Sequence, residues 1–288
     1  MEQQNSFWGN TYTAAEWTCI KITIIPLVVL VAIYSIWHFQ FNAILQENIC
    51  SYINCTYIVK TPVNYILTVA MLLAATLYVF EKMMLIATGL LTLLSLLVFS
   101  YTESLGIKGE YGLFTVIFAA QFVAYLIHYI KPGFNLKYNR VQFSLQLLAA
   151  AYVLSGIAKF SYGGIYWAEN NAPNFAAQIY REYYSAYATT GNIFYAAKGA
   201  MYSGWLVEHI WILKLLLALT VILETGAILL ITGKRNAFIY GSVLLLLHIG
   251  IYITMNIVLL TIVVTLLALT INPVYRFVQL AAKAKQLV

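Results

Sequence analysis

The chain has 288 residues, of which 62% are hydrophobic and only 9% are charged, and its mean hydropathy is +0.81. An ordinary soluble domain carries about 25% charged residues, so this composition excludes a water-soluble fold. The apolar runs are long and unbroken instead of alternating, which favours membrane-spanning helices over a transmembrane β-barrel. We therefore predict an all-α, polytopic integral membrane protein with a single membrane domain over residues 1–288.

The charged residues exclude several classes of site. All ten acidic residues are Glu, which excludes sites that depend on Asp in this chain, such as an aspartyl phosphate, a Ser-His-Asp triad or an EF-hand loop. The net charge of +6 comes from 16 Lys and Arg residues that are scattered through short loops. Such loops face anionic lipid and fix topology. We therefore expect the lipid bilayer as a partner and no nucleic acid.

Eight hydrophobic segments are candidates for membrane spans, at about 20 residues per crossing. They lie near 20–39, 63–80, 83–101, 113–130, 141–160, 210–231, 237–255 and 257–271. The last two are short and adjacent, so they also fit one helix that is broken around Met255 and Asn256. We predict a helical bundle of about eight spans, with seven or nine as the alternatives.

Lysine and arginine residues predict the orientation of the bundle. With eight spans, ten of them share one side: Lys21, Lys82, Lys131, Lys137, Arg140, Lys234, Arg235, Arg276, Lys283 and Lys285. Five fall on the other side, spread over much more chain: Lys60, Lys108, Arg181, Lys198 and Lys214. By the positive-inside rule the richer side is cytoplasmic. We expect an integral plasma (inner) membrane protein with both termini in the cytoplasm.

The three cysteines fit this orientation. Cys50 and Cys55 lie in the first outside loop, where a disulfide persists, and we predict a bridge between them that leaves Cys19 free. No Cys-x-x-Cys motif or Cys/His cluster occurs, so we predict no structural metal site.

The one long connection, 161–209, is predicted to form an extracytoplasmic lid. Eight Tyr, two Phe and two Trp lie between Tyr162 and Trp205. Phe175, Ile179 and Tyr183 have helical spacing, and we predict one or two interfacial helices on the outer leaflet, broken near Gly191. The alternative is a segment that merely anchors in lipid headgroups.

Ionisable residues inside the spans are expensive to bury, so they are the candidates for function. Lys159 ends the fifth span, Glu224 lies in the sixth and His248 lies near the middle of the seventh. The sixth and seventh spans are consecutive and antiparallel, so we predict that Glu224 and His248 form a pair. We expect Lys159 nearer the mouth of the same pocket. Tyr152 and Ser155 share a helix face with Gly156 and Lys159.

Each candidate also has a structural interpretation. Lys159 could extend along the helix to the outer headgroups, and His248 could be a neutral histidine that bridges two helices. Glu224 is harder to explain in this way, because a buried carboxylate needs a partner or a raised pKa. The adjacent Glu81 and Lys82 are interpreted as a solvated pair in an inside turn.

One set of motifs resembles a known family. The run Ala151–Phe160, followed by Tyr166-Trp167, is similar to the signature of the horizontally transferred transmembrane domain family. This superfamily contains vitamin K-dependent gamma-carboxylase and bacterial sporulation-delaying-toxin maturation proteins. Its later helices carry a Glu, a basic turn and a His, and Glu224, Lys234-Arg235 and His248 occur here in that order. The resemblance covers mainly residues 141–271.

The resemblance implies a function and a set of site residues. It implies that Lys159 is the base that deprotonates a hydroquinone from the outer side, so a quinone or hydroquinone is the expected cofactor. We assign catalytic roles to Lys159, Glu224 and His248. The expected cofactor-binding residues are Tyr152, Ser155, Gly156, Trp167 and Tyr252.

Three functions remain open from the sequence. The first is base-assisted redox or group-transfer chemistry on a lipid-soluble or exported peptide substrate. The second is a non-enzymatic maturation, immunity or scaffolding partner of a secreted peptide or membrane complex. A transporter is the third, although no internal repeat is evident.

Overall fold

The computed structural model describes residues 12–38, 52, 57–58, 60–104, 112–257 and 259–286. These residues form helices and turns without a strand, as an all-α fold requires. The helices are α1 Ala14–His38, α2 Val63–Val79, α3 Met84–Ser104, α4 Gly112–Ile130, α5 Leu136–Gly163, α6 Trp167–Thr190, α7 Ile193–Glu208, α8 Ile210–Thr225, α9 Lys234–Met255, α10 Leu260–Leu266 and α11 Pro273–Gln286. A 3₁₀ segment, Gly226–Ile231, continues α8, and a π-helical turn, Leu267–Ile271, continues α10.

Within the described residues, six helical segments are long and apolar enough to cross a membrane. They are Ala14–Tyr34, Met84–Glu103, Gly112–Ile130, Leu136–Thr190, Ile210–Ile231 and Lys234–Met255. The segment Leu260–Ile271, bent by 41° from α11, makes a seventh if that pair is one span, and α2 is an apolar helix of 17 residues. The predicted all-α fold is confirmed within the described residues, and several helices are candidates for membrane spans, whereas the count of eight spans is not confirmed.

The core of the bundle lies between successive helices, where large apolar side chains are fully buried. Tyr78 and Phe118 pack edge to face with ring centroids 5.7 Å apart. Some buried polar groups are bonded between helices: the Tyr78 hydroxyl donates to Gln121 Oε1 at 2.5 Å, and the Gln121 amide donates to Ser144 at 3.2 Å. Such bonds remove the cost of placing polar groups in an apolar interior.

A polar cluster closes one end of the bundle. Lys21 Nζ lies 2.7 Å from Glu81 Oε1, and Arg140 lies 3.8 Å from the other carboxylate oxygen. The Arg140 guanidinium also stacks over the Trp17 ring at 4.2 Å. The interpretation of Glu81 and Lys82 as a solvated loop pair is therefore wrong. Two buried cations from α1 and α5 need a counter-charge, and the turn between α2 and α3 supplies it.

The other end of the bundle carries the helical hairpin α6–α7. The two helices are separated at Gly191, whose φ of +69° ends α6 in the left-handed conformation, so the predicted break is confirmed. The buried face of α6 is Ala172, Ala176, Ile179 and Tyr183. The Tyr183 hydroxyl donates to the Ile253 carbonyl at 3.1 Å, which fixes the hairpin against the end of α9.

Two further predictions concern the break in the last span and the cysteines. α9 ends at Met255 and Asn256 has a φ of +57°, a conformation that Asn tolerates better than most residues. The helix therefore ends at the residues named from the sequence, but α9 alone is long and apolar enough to cross a membrane, so the alternative of one broken span is not confirmed. Cys19 is buried and free, whereas Cys50 and Cys55 lie outside the described residues.

Candidate functional site

A cavity of about 310 Å³ lies between α4, α5, α8, α9 and α10 and is open to the surface of the bundle. Apolar side chains form most of its wall, and a few polar groups converge on it, as in many ligand sites between helices. The lining residues are Gly112, Leu113, Val116, Leu148, Ala151, Tyr152, Ser155, Glu224, His248 and Ile262.

One face of α5 carries the polar residues of the site. Tyr152 and Ser155 line the cavity. Gly156 lies where α5 and α8 approach each other closely, since a Cβ at this position would be 2.6 Å from Thr225 Cγ2. Small residues permit such close helix packing in membranes. The close approach brings Lys159, one turn farther along α5, beside α8.

Lys159 and Glu224 form an ion pair between α5 and α8. The Lys159 ammonium donates to both carboxylate oxygens of Glu224. The exposed fractions of the two side chains are 22% and 11%, so the pair is mostly screened from its surroundings. The Trp167 ring centroid lies 5.6 Å from Lys159 Nζ and adds a cation–π contact. Lys159 is therefore held by the protein and does not extend freely to headgroups.

Tyr152 and His248 form the second polar pair. The Tyr152 hydroxyl and His248 Nε2 are 2.6 Å apart. His248 is 7% exposed, and its other ring nitrogen, Nδ1, is buried and has no hydrogen-bond partner in the described part of the chain. A buried polar atom without a partner costs about 1–3 kcal/mol. His248 also lines the cavity, so a ligand there that reached Nδ1 would remove that cost.

The predicted pair of Glu224 and His248 is wrong in its partners, although both residues line one cavity. Each bonds instead to α5: Glu224 to Lys159, and His248 to Tyr152. The physical reason is that a carboxylate costs more to bury than a neutral imidazole, so it takes the available cation. The imidazole then needs only a hydroxyl group.

The predicted cofactor-binding residues separate into three groups. Tyr152 and Ser155 line the cavity. Gly156 and Trp167 act on it indirectly, through the packing of α8 and through Lys159. Tyr252 does not line the cavity, and 51% of its surface is exposed.

The apolar wall from α4 and α10 was not predicted. Leu113, Val116 and Ile262 line the cavity, but in the sequence they look the same as any other residue of an apolar span. Only the packing of α4 and α10 against α5 identifies them, and no signal in the sequence could have found them.

Comparisons with family models, with curated proteins and with solved structures find no match to this chain. Within the described residues, no group of three or more His, Cys, Asp or Glu side chains is placed to hold a metal ion.

Proposed function

We propose that the protein binds a lipid-soluble molecule in the intramembrane cavity and carries out base-assisted redox or group-transfer chemistry with it. The substrate is that molecule or an exported peptide, as the resemblance to the vitamin K carboxylase-like family implies. The observation that carries the proposal is that His248, whose Nδ1 is buried and has no partner in the described residues, helps to line a cavity with apolar walls. Such a site is suited to a ligand that has a ring with polar substituents and is otherwise apolar.

A hydroquinone fits the groups that surround the cavity. Its hydroxyl groups could bond to His248 Nδ1 and Ser155, and its ring could lie against Leu113, Val116 and Ile262. When bound, it would supply two electrons and two protons to a reaction partner.

His248 is the best-placed proton acceptor. In the tautomer whose Nε2–H donates to the Tyr152 oxygen, Nδ1 has a free lone pair that can accept a proton from a hydroxyl group. Tyr152 then fixes the orientation of the ring, as the partner of a general base does. Both residues come from helices, which hold such geometry more firmly than loops do.

Lys159 has a different role in this proposal from the one that the resemblance implies. The Lys159 ammonium donates to both oxygens of the Glu224 carboxylate and does not line the cavity, so it is not placed to take a proton from a ligand there. We assign to the pair the roles of fixing α5 against α8 and of placing a charge at the edge of the cavity.

The test is the lipid that purifies with the protein. We expect extraction and mass spectrometry to find a ring-containing lipid with hydroxyl or carbonyl groups, in near-stoichiometric amount. His248→Phe should reduce its retention by at least about fivefold, since a lost hydrogen bond to a buried group costs about 1–3 kcal/mol. Tyr252→Phe is the matched control on the same helix and should retain it. Equal retention by both variants would exclude His248 as the binding group.

The orientation is also a proposal: both termini are in the cytoplasm of an inner-membrane protein, and α6–α7 lies outside. It rests on ten basic residues at one side against five at the other. Ser185 is exposed on α6, so Ser185→Cys in intact cells should react with an impermeant thiol reagent. Reaction only after permeabilisation would invert the orientation.

The exposed aromatic surface of α6–α7 favours a second function, a non-enzymatic partner of an exported peptide. Tyr180 and Tyr184 stack with centroids 6.0 Å apart and are 42% and 50% exposed. If this function is correct, Tyr184→Ala should abolish the dependence of the peptide on this protein, and His248→Phe should not. The opposite result supports the enzyme.

A further inference from the structure

The last helix, α11, has two faces of opposite character. On a helical projection its apolar face contains Val274, Phe277, Val278, Leu280, Ala281 and Ala284. Four of these are large and exposed, at 38%, 74%, 53% and 66% for Val274, Phe277, Val278 and Leu280. An apolar face of this size in contact with water would be costly, so it needs a cover.

The polar face of α11 is the one that contacts the rest of the protein. Tyr275, Arg276 and Gln279 line a polar pocket together with Glu16 and Lys234. The Arg276 guanidinium stacks over Phe238 at 4.0 Å. A helix on the surface of a soluble protein packs its apolar face against the core. In α11 the polar face contacts the protein and the apolar face is exposed.

The start of α11 is fixed at the end of the bundle. Asn272, with a φ of +49°, donates from its side chain to the Glu16 carbonyl at 3.0 Å. Arg276 Nε donates to the Ile271 carbonyl at 2.8 Å. The chain bends by 41° between Leu260–Ile271 and α11, so the helix leaves the direction of the span where the bundle ends.

The charges of the segment indicate what covers the apolar face of α11. Residues 273–288 carry Arg276, Lys283 and Lys285 and no acidic residue. Lys234 and Arg235 begin α9 at the same end of the bundle, where Lys234 pairs with Glu16 at 2.7 Å. A second copy of the helix would bring like charges together, whereas an anionic lipid surface would complement them.

We propose that α11 is an interfacial helix that binds the anionic lipid surface of the membrane. Its apolar face enters the boundary between headgroups and acyl chains, and the positive charge of the segment favours anionic lipid. Each basic residue near an anionic surface strengthens binding by about fivefold at low salt, so the helix distinguishes anionic from zwitterionic lipid. This inference does not depend on the chemistry proposed for the cavity.

Hydrogen exchange of the full chain in nanodiscs tests the proposal, with one copy of the protein in each disc. The amides of residues 276–286 should exchange at least about tenfold more slowly in discs with phosphatidylglycerol than in pure phosphatidylcholine, and raised salt should reduce the difference. The double variant Lys283→Gln/Lys285→Gln should abolish it. Lys131→Gln/Lys137→Gln removes two exposed basic residues, one before α5 and one in its first turn, and should leave the difference between the two lipids unchanged.

Three results would overturn the proposal. The first is equal amide exchange in both lipids, which would mean that α11 does not distinguish anionic from zwitterionic lipid. The second is equal loss of the difference in both double variants, which would indicate a general effect of net charge. The third is protection that occurs only in discs with two copies, which would identify a second protein chain as the cover.

Discussion

The ammonium group of Lys159 donates to both carboxylate oxygens of Glu224 and joins α5 to α8 inside the membrane domain. Neither helix contains another ion pair within the described residues that is so well screened: the second pair of α8, between Lys214 and Glu169, has side chains 37% and 58% exposed. The effect of burial on the strength of an ion pair can therefore be tested in this protein, with Lys159–Glu224 as the mostly buried pair and Lys214–Glu169 as the exposed control.

Glu224→Gln should destabilise the protein by about 3 kcal/mol, because it leaves the Lys159 charge partly buried without a counter-charge. Denaturation of the detergent-solubilised protein measures this loss. The double variant Lys159→Gln/Glu224→Gln should lose less than the sum of the single variants, since two amides can still bond. Glu169→Gln should cost less than about 1 kcal/mol, as exposed pairs do. Similar losses for Glu169→Gln and Glu224→Gln would contradict the buried ion pair.

Tyr152→Phe should cost about 1–3 kcal/mol, because it leaves His248 Nε2 buried without its partner. Thermal denaturation in detergent measures the cost. Tyr252→Phe removes a hydroxyl group from a half-exposed position and should change the free energy of unfolding by less than about 0.5 kcal/mol. If both variants behave alike, the Tyr152–His248 bond does not stabilise the fold.

The membrane-spanning helices could be predicted from the sequence because hydropathy and length are local properties. The break at Gly191 could also be predicted from the sequence, since glycine is the residue that enters the left-handed conformation without strain. The short segments were harder to count. α2 has 17 residues, and the chain bends by 41° after Ile271, so the number of crossings there depends on tilt and packing and not on composition.

The candidate site could be predicted only in part. Lys159, Glu224 and His248 were found because ionisable groups are rare in apolar spans. Their partners were not found, because sequence distance says which helices are consecutive and not which faces meet. Glu81 is the clearest case: it is beside Lys82 in the sequence, but it bonds to Lys21, 60 residues away.

Gly156→Ala should destabilise the protein by about 1–3 kcal/mol, because the new Cβ would be 2.6 Å from Thr225 Cγ2 and 3.1 Å from the Thr225 nitrogen. Thr225→Ser in the same chain removes Cγ2 and should recover part of the loss. Gly204→Ala is the matched control on α7: nothing lies within 4 Å of its Cβ, so it should stabilise by about 0.5–1 kcal/mol through helix propensity. Loss of stability in both alanine variants would show that the α5–α8 contact is not the cause.

Glu81 should make the free energy of unfolding of the protein depend on pH under acidic conditions. Partial burial raises the pKa of its carboxyl group, but the hydrogen bond from Lys21 and the charges of Lys21 and Arg140 outweigh this and hold the pKa below its ordinary value. A group with a lowered folded-state pKa contributes stability above its unfolded-state pKa, which is about 4.3. That contribution is lost as the pH falls through the folded-state pKa.

The melting temperature of the wild-type protein should therefore fall as the pH is lowered below about 4.3. Glu81→Gln should melt at a lower temperature at pH 7, because Lys21 and Arg140 lose their counter-charge, and the two melting curves should converge in acid. Glu208→Gln, at an exposed position on α7, should keep the wild-type dependence. A difference between wild type and Glu81→Gln that stays constant from neutral pH into acid would mean that the Glu81 carboxylate is not ionised against Lys21 and Arg140.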